Sequence, residues 1–160
     1  MDFKKIKLVI FDFDGVFTDN SVFVSQDGVE TVKCNRSDGL GISRLKSLNI
    51  PCYIISSESN IVVSKRAKKL KIPVFQNVKD KAMTLTSLCN KLKINLENTM
   101  FVGNDINDIP ALKIVGFPVA VFDAYDEILS HIVYKTKKAG GDGAVREICD
   151  IIFNELKKNE

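Results

Sequence analysis

Residues 6–19 read IKLVIFDFDGVFTD, a run of mostly apolar residues that ends in two aspartates, Asp12 and Asp14, one phenylalanine apart and followed by Gly15. An apolar run this short is the pattern of a strand buried on both faces, as in a parallel sheet covered by helices. In open α/β sheets the binding crevice lies beyond the carboxyl ends of the strands, so the two carboxylates sit where such a fold keeps its chemistry. Further short apolar runs follow at IPCYII (50–55), PVF (73–75), TMFVG (99–103), PVAVF (118–122) and HIVYKT (131–136). Between them, GLGISRLKSLN, SNIVVSKRAKKLK, DKAMTLTSLCNKLK and NDIPALKIVG space their apolar residues three or four apart, and GAVREICDIIFNELKK closes the chain as a final helix. Ser59 and Asp80 are expected N-caps. The alternation predicts an α/β fold, a doubly wound parallel sheet with helices on both faces. One stretch breaks the rhythm. In NSVFVSQDGVETVKC (20–34) two strand-like segments flank a Gln26-Asp27-Gly28 turn, which predicts a β-hairpin inserted after the first strand.

At 160 residues with 45% hydrophobic content, the chain is expected to form one domain over 1–160. Its 23 basic and 20 acidic residues leave a net charge of +3 with no basic block, so nucleic acid is not an expected partner. Cys34, Cys52, Cys89 and Cys149 are widely spaced with no CxxC pair, and MDFKKIKLVIF runs into motif residues rather than a cleavage site. Both features predict a reduced, cytoplasmic protein with its cysteines as small core residues. No apolar run approaches the roughly 20 residues of a membrane span, so a soluble protein without a membrane partner is expected.

The residues following each apolar run are unusually polar: Asp12 and Asp14, then Ser56, Ser57 and Glu58, then Lys81, then Asn104, Asp105, Asn107 and Asp108. Oxygen ligands converging on one point need a hard cation to offset their repulsion, and Mg²⁺ suits an all-oxygen set; no His or Cys cluster suggests zinc. A lysine and a serine hydroxyl opposite that cation would hold the remaining oxygens of a phosphoryl group. Asp12 can then attack phosphorus, while Asp14 protonates the leaving oxygen and later activates water. Two carboxyl groups are needed because these roles require opposite protonation states.

DFDGV, Ser56, Lys81 and GNDIND match, in order, the four motifs of the haloacid dehalogenase superfamily, which the chain therefore resembles. More narrowly, FDFDGVFTDN, NRSDGLGI, SKRAKKLKI, DKAMTL, VGNDINDIPAL and GGDGAVRE are similar to its small capless branch, which dephosphorylates 8- or 9-phosphate esters of 3-deoxy-2-ulosonic acids. The resemblance implies a Rossmann-like sheet, Mg²⁺ held by Asp12, the Asp14 carbonyl and Asn104 or Asp105, and Asp108 ordering the groups behind them. Asn104 departs from the aspartate more usual in the family, and whether it or Asp105 ligates the metal stays open. The octulosonate enzymes usually carry Thr-Gly-Arg after the second strand and an arginine before the Asp-Gly of the first helix, where this chain has Ser56-Ser57-Glu58 and Ser37. The nine-carbon enzymes resemble it at both places, with Glu58 and Lys69 as selectivity residues. Glu58 would accept hydrogen bonds from sugar hydroxyls or an amine and repel a carboxylate. The expected substrate is therefore a nonulosonate 9-phosphate, of sialic-acid type. 3-deoxy-D-manno-octulosonate 8-phosphate, a lipopolysaccharide precursor, is the alternative.

The resemblance also implies a homotetramer, with the 20–34 hairpin packed between subunits and the GGDGAVRE region reaching a neighbour's site. Arg146 would there contact substrate or, equally, form a surface ion pair. Gly140 and Gly141 read as a flexible turn, and His131 as structural. Two other classes of function fit less well. One is a non-catalytic oligomerisation module like the C-terminal domain of animal sialic-acid cytidylyltransferases, which Asp12, Asp14, Ser56 and Lys81 argue against. The other is a signalling receiver, whose phosphoacceptor follows its third strand.

Overall fold

The computed structural model describes residues 2–158, which build a six-stranded parallel sheet and a separate two-stranded hairpin. β1 (Leu8–Phe11) lies in the middle, paired in parallel with β4 (Cys52–Ile55) on one side and β6 (Thr99–Gly103) on the other. All four β1 residues are buried, as an apolar run covered on both faces requires. β5 (Val74–Phe75) lies beyond β4, while β7 (Phe117–Ala120) and β8 (Tyr134–Lys135) extend the sheet past β6. The strand order is thus β5-β4-β1-β6-β7-β8. Connections leave β1 in opposite directions, which makes its carboxyl end the switch point of the sheet and opens a crevice there.

The crossovers between parallel strands carry the helices that flank the sheet. α1 (Ser37–Ser47) and the C-terminal α5 (Ala144–Lys157) pack against each other, and α3 (Lys81–Leu92) packs against the short α4 (Ile109–Leu112). α2 (Val62–Leu70) turns Val63, Ala67 and Leu70 inward and ends on Lys71 in the left-handed conformation. The hairpin pairs β2 (Thr18–Val24) with β3 (Glu30–Cys34) and turns at Gly28, φ +79°. It begins two residues before the expected stretch because Thr18 pairs with Cys34 at its base.

Other boundaries move for identifiable reasons. HIVYKT does not form a strand from 131 to 136: a 3-10 segment runs over Asp126–His131, and only Tyr134–Lys135 pair with β7. An edge strand has one neighbour, so pairing ends where β7 ends. Ser59 does not cap α2; Asn60 does, its Oδ1 accepting from Val62 N–H at 3.0 Å. Asp80 caps α3 through Met83 N–H at 2.9 Å. Gly140 and Gly141 are buried, and Gly141 N–H donates to the Val16 carbonyl, so they clasp the β1–β2 turn instead of forming a free loop. Cys52, Cys89 and Cys149 are buried thiols. Among the described residues no helix is long and apolar enough to cross a membrane.

Asp38, in the first turn of α1, is 1% exposed, and neither carboxylate oxygen has a hydrogen-bond partner; the nearby Arg146 amide falls short of bonding geometry. Burial pushes its carboxyl from 3.8 up to about 7 despite the neighbouring Arg66 charge. The fold therefore favours the neutral acid, and stability is lost as pH rises from about 4 through 7. Asp38→Asn should gain up to roughly 4 kcal/mol over the parent protein at pH 8, with the gap closing towards pH 4, in urea unfolding. A gap independent of pH would contradict this account of the residue.

Candidate active site

The crevice at the carboxyl end of β1 is built around one buried cation. Lys81, the first residue of α3, is 3% exposed. Its Nζ lies 2.8 Å from Asp12 Oδ1 and 2.6 Å from Asp108 Oδ1, carboxylates that themselves are 4% and 0% exposed. An ammonium has three donors, so these two contacts leave one for a third acceptor. Burial alone would lower the lysine's pKa, but the two carboxylates outweigh it and raise it, keeping the side chain charged. Burial, followed by the charge of Asp108, pushes the Asp12 carboxyl up to about 7 against the pull of Lys81. One cation between two acids leaves the cluster short of positive charge.

Backbone geometry presents Asp12 and Asp14 as a pair. Asp12 N–H continues the sheet ladder to the Val102 carbonyl, and the chain then turns through Gly15 at φ +74°, where a Cβ would collide with the Asn104 amide. Thr18 Oγ1 braces the turn by accepting from Gly15 N–H at 3.0 Å. Gly140 packs so closely on the Gly15 carbonyl that a side chain there would displace it. Asp14 is half-buried, its carboxyl pushed up first by burial and next by the Glu58 charge. A carboxyl held towards its neutral form suits a proton donor.

The third wall comes from the segment after β4. Ser56 Oγ accepts from Glu58 N–H at 3.1 Å, which leaves its hydroxyl proton free to donate to a ligand in the crevice. Glu58 is half-buried, and its Oε1 accepts from the Ser59 and Asn60 amides, each at 2.6 Å. After β6, Asp108 Oδ2 accepts from Asn104 N–H at 2.9 Å and Asp105 N–H at 3.3 Å. Asp105 turns its side chain onto Ile106 N–H at 2.6 Å, capping its own 3-10 turn. Asn104 is 5% exposed, its amide against Gly15, and is therefore the member of the Asn104/Asp105 pair directed at the aspartate turn.

Asp12, Asp14, Ser56, Ser57, Glu58 and Asn107 line one cavity of about 250 Å³. That is below the size of an ordinary small-molecule pocket, room for a small polar group with any larger remainder left at the rim. Its oxygen-rich lining beside an under-compensated carboxylate cluster fits a hard divalent cation: the Asp12 carboxylate, the Asp14 carbonyl and the Asn104 amide oxygen are the donors at hand.

Of the expected site residues, Lys81, Asn104, Asp105 and Asp108 belong to the cluster beside this cavity without lining it, and two, Lys69 and Arg146, lie away from it. Lys69 is exposed in the last turn of α2, whose start, not its end, lies at the crevice. Arg146 lines a different cavity of about 570 Å³ beside α5, where its Nε donates to Asp150 Oδ2 at 2.7 Å. Beside that ion pair, Glu147 accepts from the Lys137 and Lys138 backbone amides and from the Tyr134 hydroxyl. Asn107 and Thr18 were legible only as part of polar stretches. Asn107 stands out by its place in GNDIND, whereas nothing local marks Thr18 as a brace.

Known proteins resemble this chain over most of its length. The family model for haloacid dehalogenase-like hydrolases matches residues 45–148. The 3-deoxy-D-manno-octulosonate 8-phosphate phosphatase KdsC of Salmonella typhi is 37% identical over 151 residues, covering 94% of this chain and 80% of that protein. The Moraxella catarrhalis 3-deoxy-D-manno-octulosonate 8-phosphate phosphatase, solved with magnesium, phosphate and KDO, superposes with a TM-score of 0.92 at 35% identity, covering 96% of this chain and 89% of that one. The cobalt-bound deoxy-D-mannose-octulosonate 8-phosphate phosphatase of Haemophilus influenzae gives a TM-score of 0.92 at 29% identity, covering 99% and 93%.

Removing Lys81 would leave Asp12 and Asp108 buried with no cation. Lys81→Met should cost about 3–5 kcal/mol at pH 8 in the presence of a chelator. The loss should be smaller at pH 5, because carboxyls without a counter-charge take up protons and the Asp12 carboxyl already stands at about 7 with the lysine present. Equal losses at both pH values in urea unfolding would contradict the arrangement.

Proposed function

The chain belongs to the haloacid dehalogenase-like hydrolase family and is a phosphoric monoester hydrolase, and we propose that its substrate is the terminal phosphate ester of a 3-deoxy-2-ulosonic acid. The observation that carries this reading is the buried Asp12–Lys81–Asp108 cluster opening onto the polar cavity that also holds Asp14 and Ser56. Mg²⁺ is the cofactor, in keeping with the magnesium bound by the Moraxella enzyme; Asp12, the Asp14 carbonyl and Asn104 would hold it. When bound, it offsets the negative charge of the carboxylates and phosphoryl oxygens. An Asp12 oxygen attacks phosphorus while the P–O bond to the sugar breaks, and Asp14 gives its proton to the leaving alkoxide. The Ser56 hydroxyl and the third Lys81 donor hold non-bridging oxygens. Asp14, now a carboxylate, takes a proton from water as that water attacks phosphorus, and the P–O bond to Asp12 breaks to release phosphate.

Within this class the relatives favour 3-deoxy-D-manno-octulosonate 8-phosphate. A nonulosonate 9-phosphate is the second reading, supported by Glu58 lining the cavity where an arginine would suit the octulosonate better. Lys69, distant from the cavity within one chain, lends that reading no support from its own subunit. Mg²⁺-dependent phosphate release from both esters decides between them. Faster turnover of the eight-carbon ester is expected, and faster turnover of the nine-carbon ester would make Glu58 a selectivity residue. Asp12→Asn should reduce turnover of either at least about 1,000-fold while leaving the fold intact. Release from neither by the parent protein would leave the non-catalytic assembly module as the better account.

We also infer a homotetramer assembled through the hairpin, on which Val22, Phe23, Val24 and Val29 are all at least half exposed. Apolar side chains gathered on a projecting hairpin mark an interaction surface. Light scattering should report four chains for the parent protein and a smaller species for Phe23→Asp; an unchanged mass in the variant would remove the hairpin from the interface.

A further inference from the structure

The segment after β4 is short, yet it is tied to three other parts of the chain, and most of the ties meet at one residue. Asn60 N–H donates to Glu58 Oε1 at 2.6 Å, and its Oδ1 accepts from Val62 N–H at 3.0 Å. Its carbonyl accepts from Gln76 Nε2 at 2.9 Å, and its Nδ2 donates to Glu30 Oε2 of β3 at 2.8 Å. The partners fix the orientation of the amide, since the Val62 N–H can only donate and the Glu30 carboxylate can only accept. The hairpin, the start of α2 and the segment beyond β5 are thereby joined around Glu58.

We propose that Asn60 is a positioning residue for substrate recognition: it latches the Glu58 loop to the hairpin and so sets the rim over which the sugar-acid part of the substrate lies. This rests on the ulosonate-phosphate reading. The cavity of about 250 Å³ has room for the phosphoryl group, so the carbon chain passes over the wall formed by Ser57 and Glu58. Glu58 Oε1 is taken by the amides of Ser59 and Asn60, which leaves Oε2 to accept a hydrogen bond from a hydroxyl or N–H of the ligand. The direction of Oε2 is set by the loop, and the loop is set by Asn60. None of the Asn60 partners is Asp12, Asp14, Ser56 or Lys81, so the latch acts first on recognition and reaches Ser56 and Asp14 only through Glu58.

Asn60→Asp separates the latch from the helix cap. It keeps an oxygen for Val62 N–H but sets a carboxylate against Glu30. The expected result is a roughly tenfold rise in KM for the ulosonate ester with kcat within about twofold, and kcat/KM for p-nitrophenyl phosphate, which lacks the sugar-acid chain, within about twofold. Amide hydrogen exchange at Ser59 and at position 60 should quicken, while Val62, whose cap is retained, exchanges as in the parent. Adding Glu30→Gln restores a hydrogen bond of reversed polarity and should return both KM and exchange to parent values. An unchanged KM, equal impairment of both substrates, or failure of the second substitution to restore would overturn the proposal. Should the parent protein hydrolyse no ulosonate ester, the functional reading falls, and exchange alone decides the latch: amides at Ser59 and position 60 that exchange in the variant as in the parent would overturn it.

Discussion

Everything at the crevice depends on one buried lysine held between two buried carboxylates. Taking three charges out of water is costly, and a buried ion pair rarely repays its desolvation in stability alone. The Lys81 contacts at 2.8 Å and 2.6 Å therefore make most sense as positioning. They fix Asp12 at the end of β1 and leave the cluster one positive charge short. A divalent cation bound there would relieve the carboxylates, and the remaining lysine donor would be available to an anionic oxygen.

The sheet supplies the precision. β1 pairs on both sides along its length, so Asp12 leaves a segment with no freedom to shift. Thr18, Asn104 and Gly140 then close on the turn that carries Asp14, and Asp108 ties the segment after β6 to the same lysine. The turn after β1, the segment after β6 and the start of α3 are thus cross-linked by polar side chains, whereas the Glu58 rim is held by more exposed bonds. Of the groups proposed for phosphoryl transfer, Asp12, Ser56 and Lys81 are buried, and Glu58 stands on the more exposed side of the crevice.

Much of this was legible in the sequence. The apolar run into DFDG announced a buried strand ending in paired acids, and the polar residues after later runs fell where a parallel sheet would gather them. What stayed hidden is non-local. Lys81 reads like any helix-start lysine, and its burial is visible only once Asp12 and Asp108 meet it. Ser59 is the expected cap, but it is the Asn60 side-chain amide oxygen that reaches Val62 N–H. Lys69 shares a helix with the crevice, yet seven residues of helix carry it about 10 Å from the end that faces the site. The edge strands β5 and β8 shrink to two residues each because their length is decided by a neighbour's pairing.

The central claim is that Asp12, poised by Lys81, becomes covalently phosphorylated. The most direct measurement is acid quenching during turnover of a phosphate-labelled ulosonate ester, followed by borohydride reduction of the acyl phosphate and peptide mass mapping. The account predicts transient protein-bound label and reduction confined to Asp12. Steady turnover with no bound label, or label on any other residue, would contradict it.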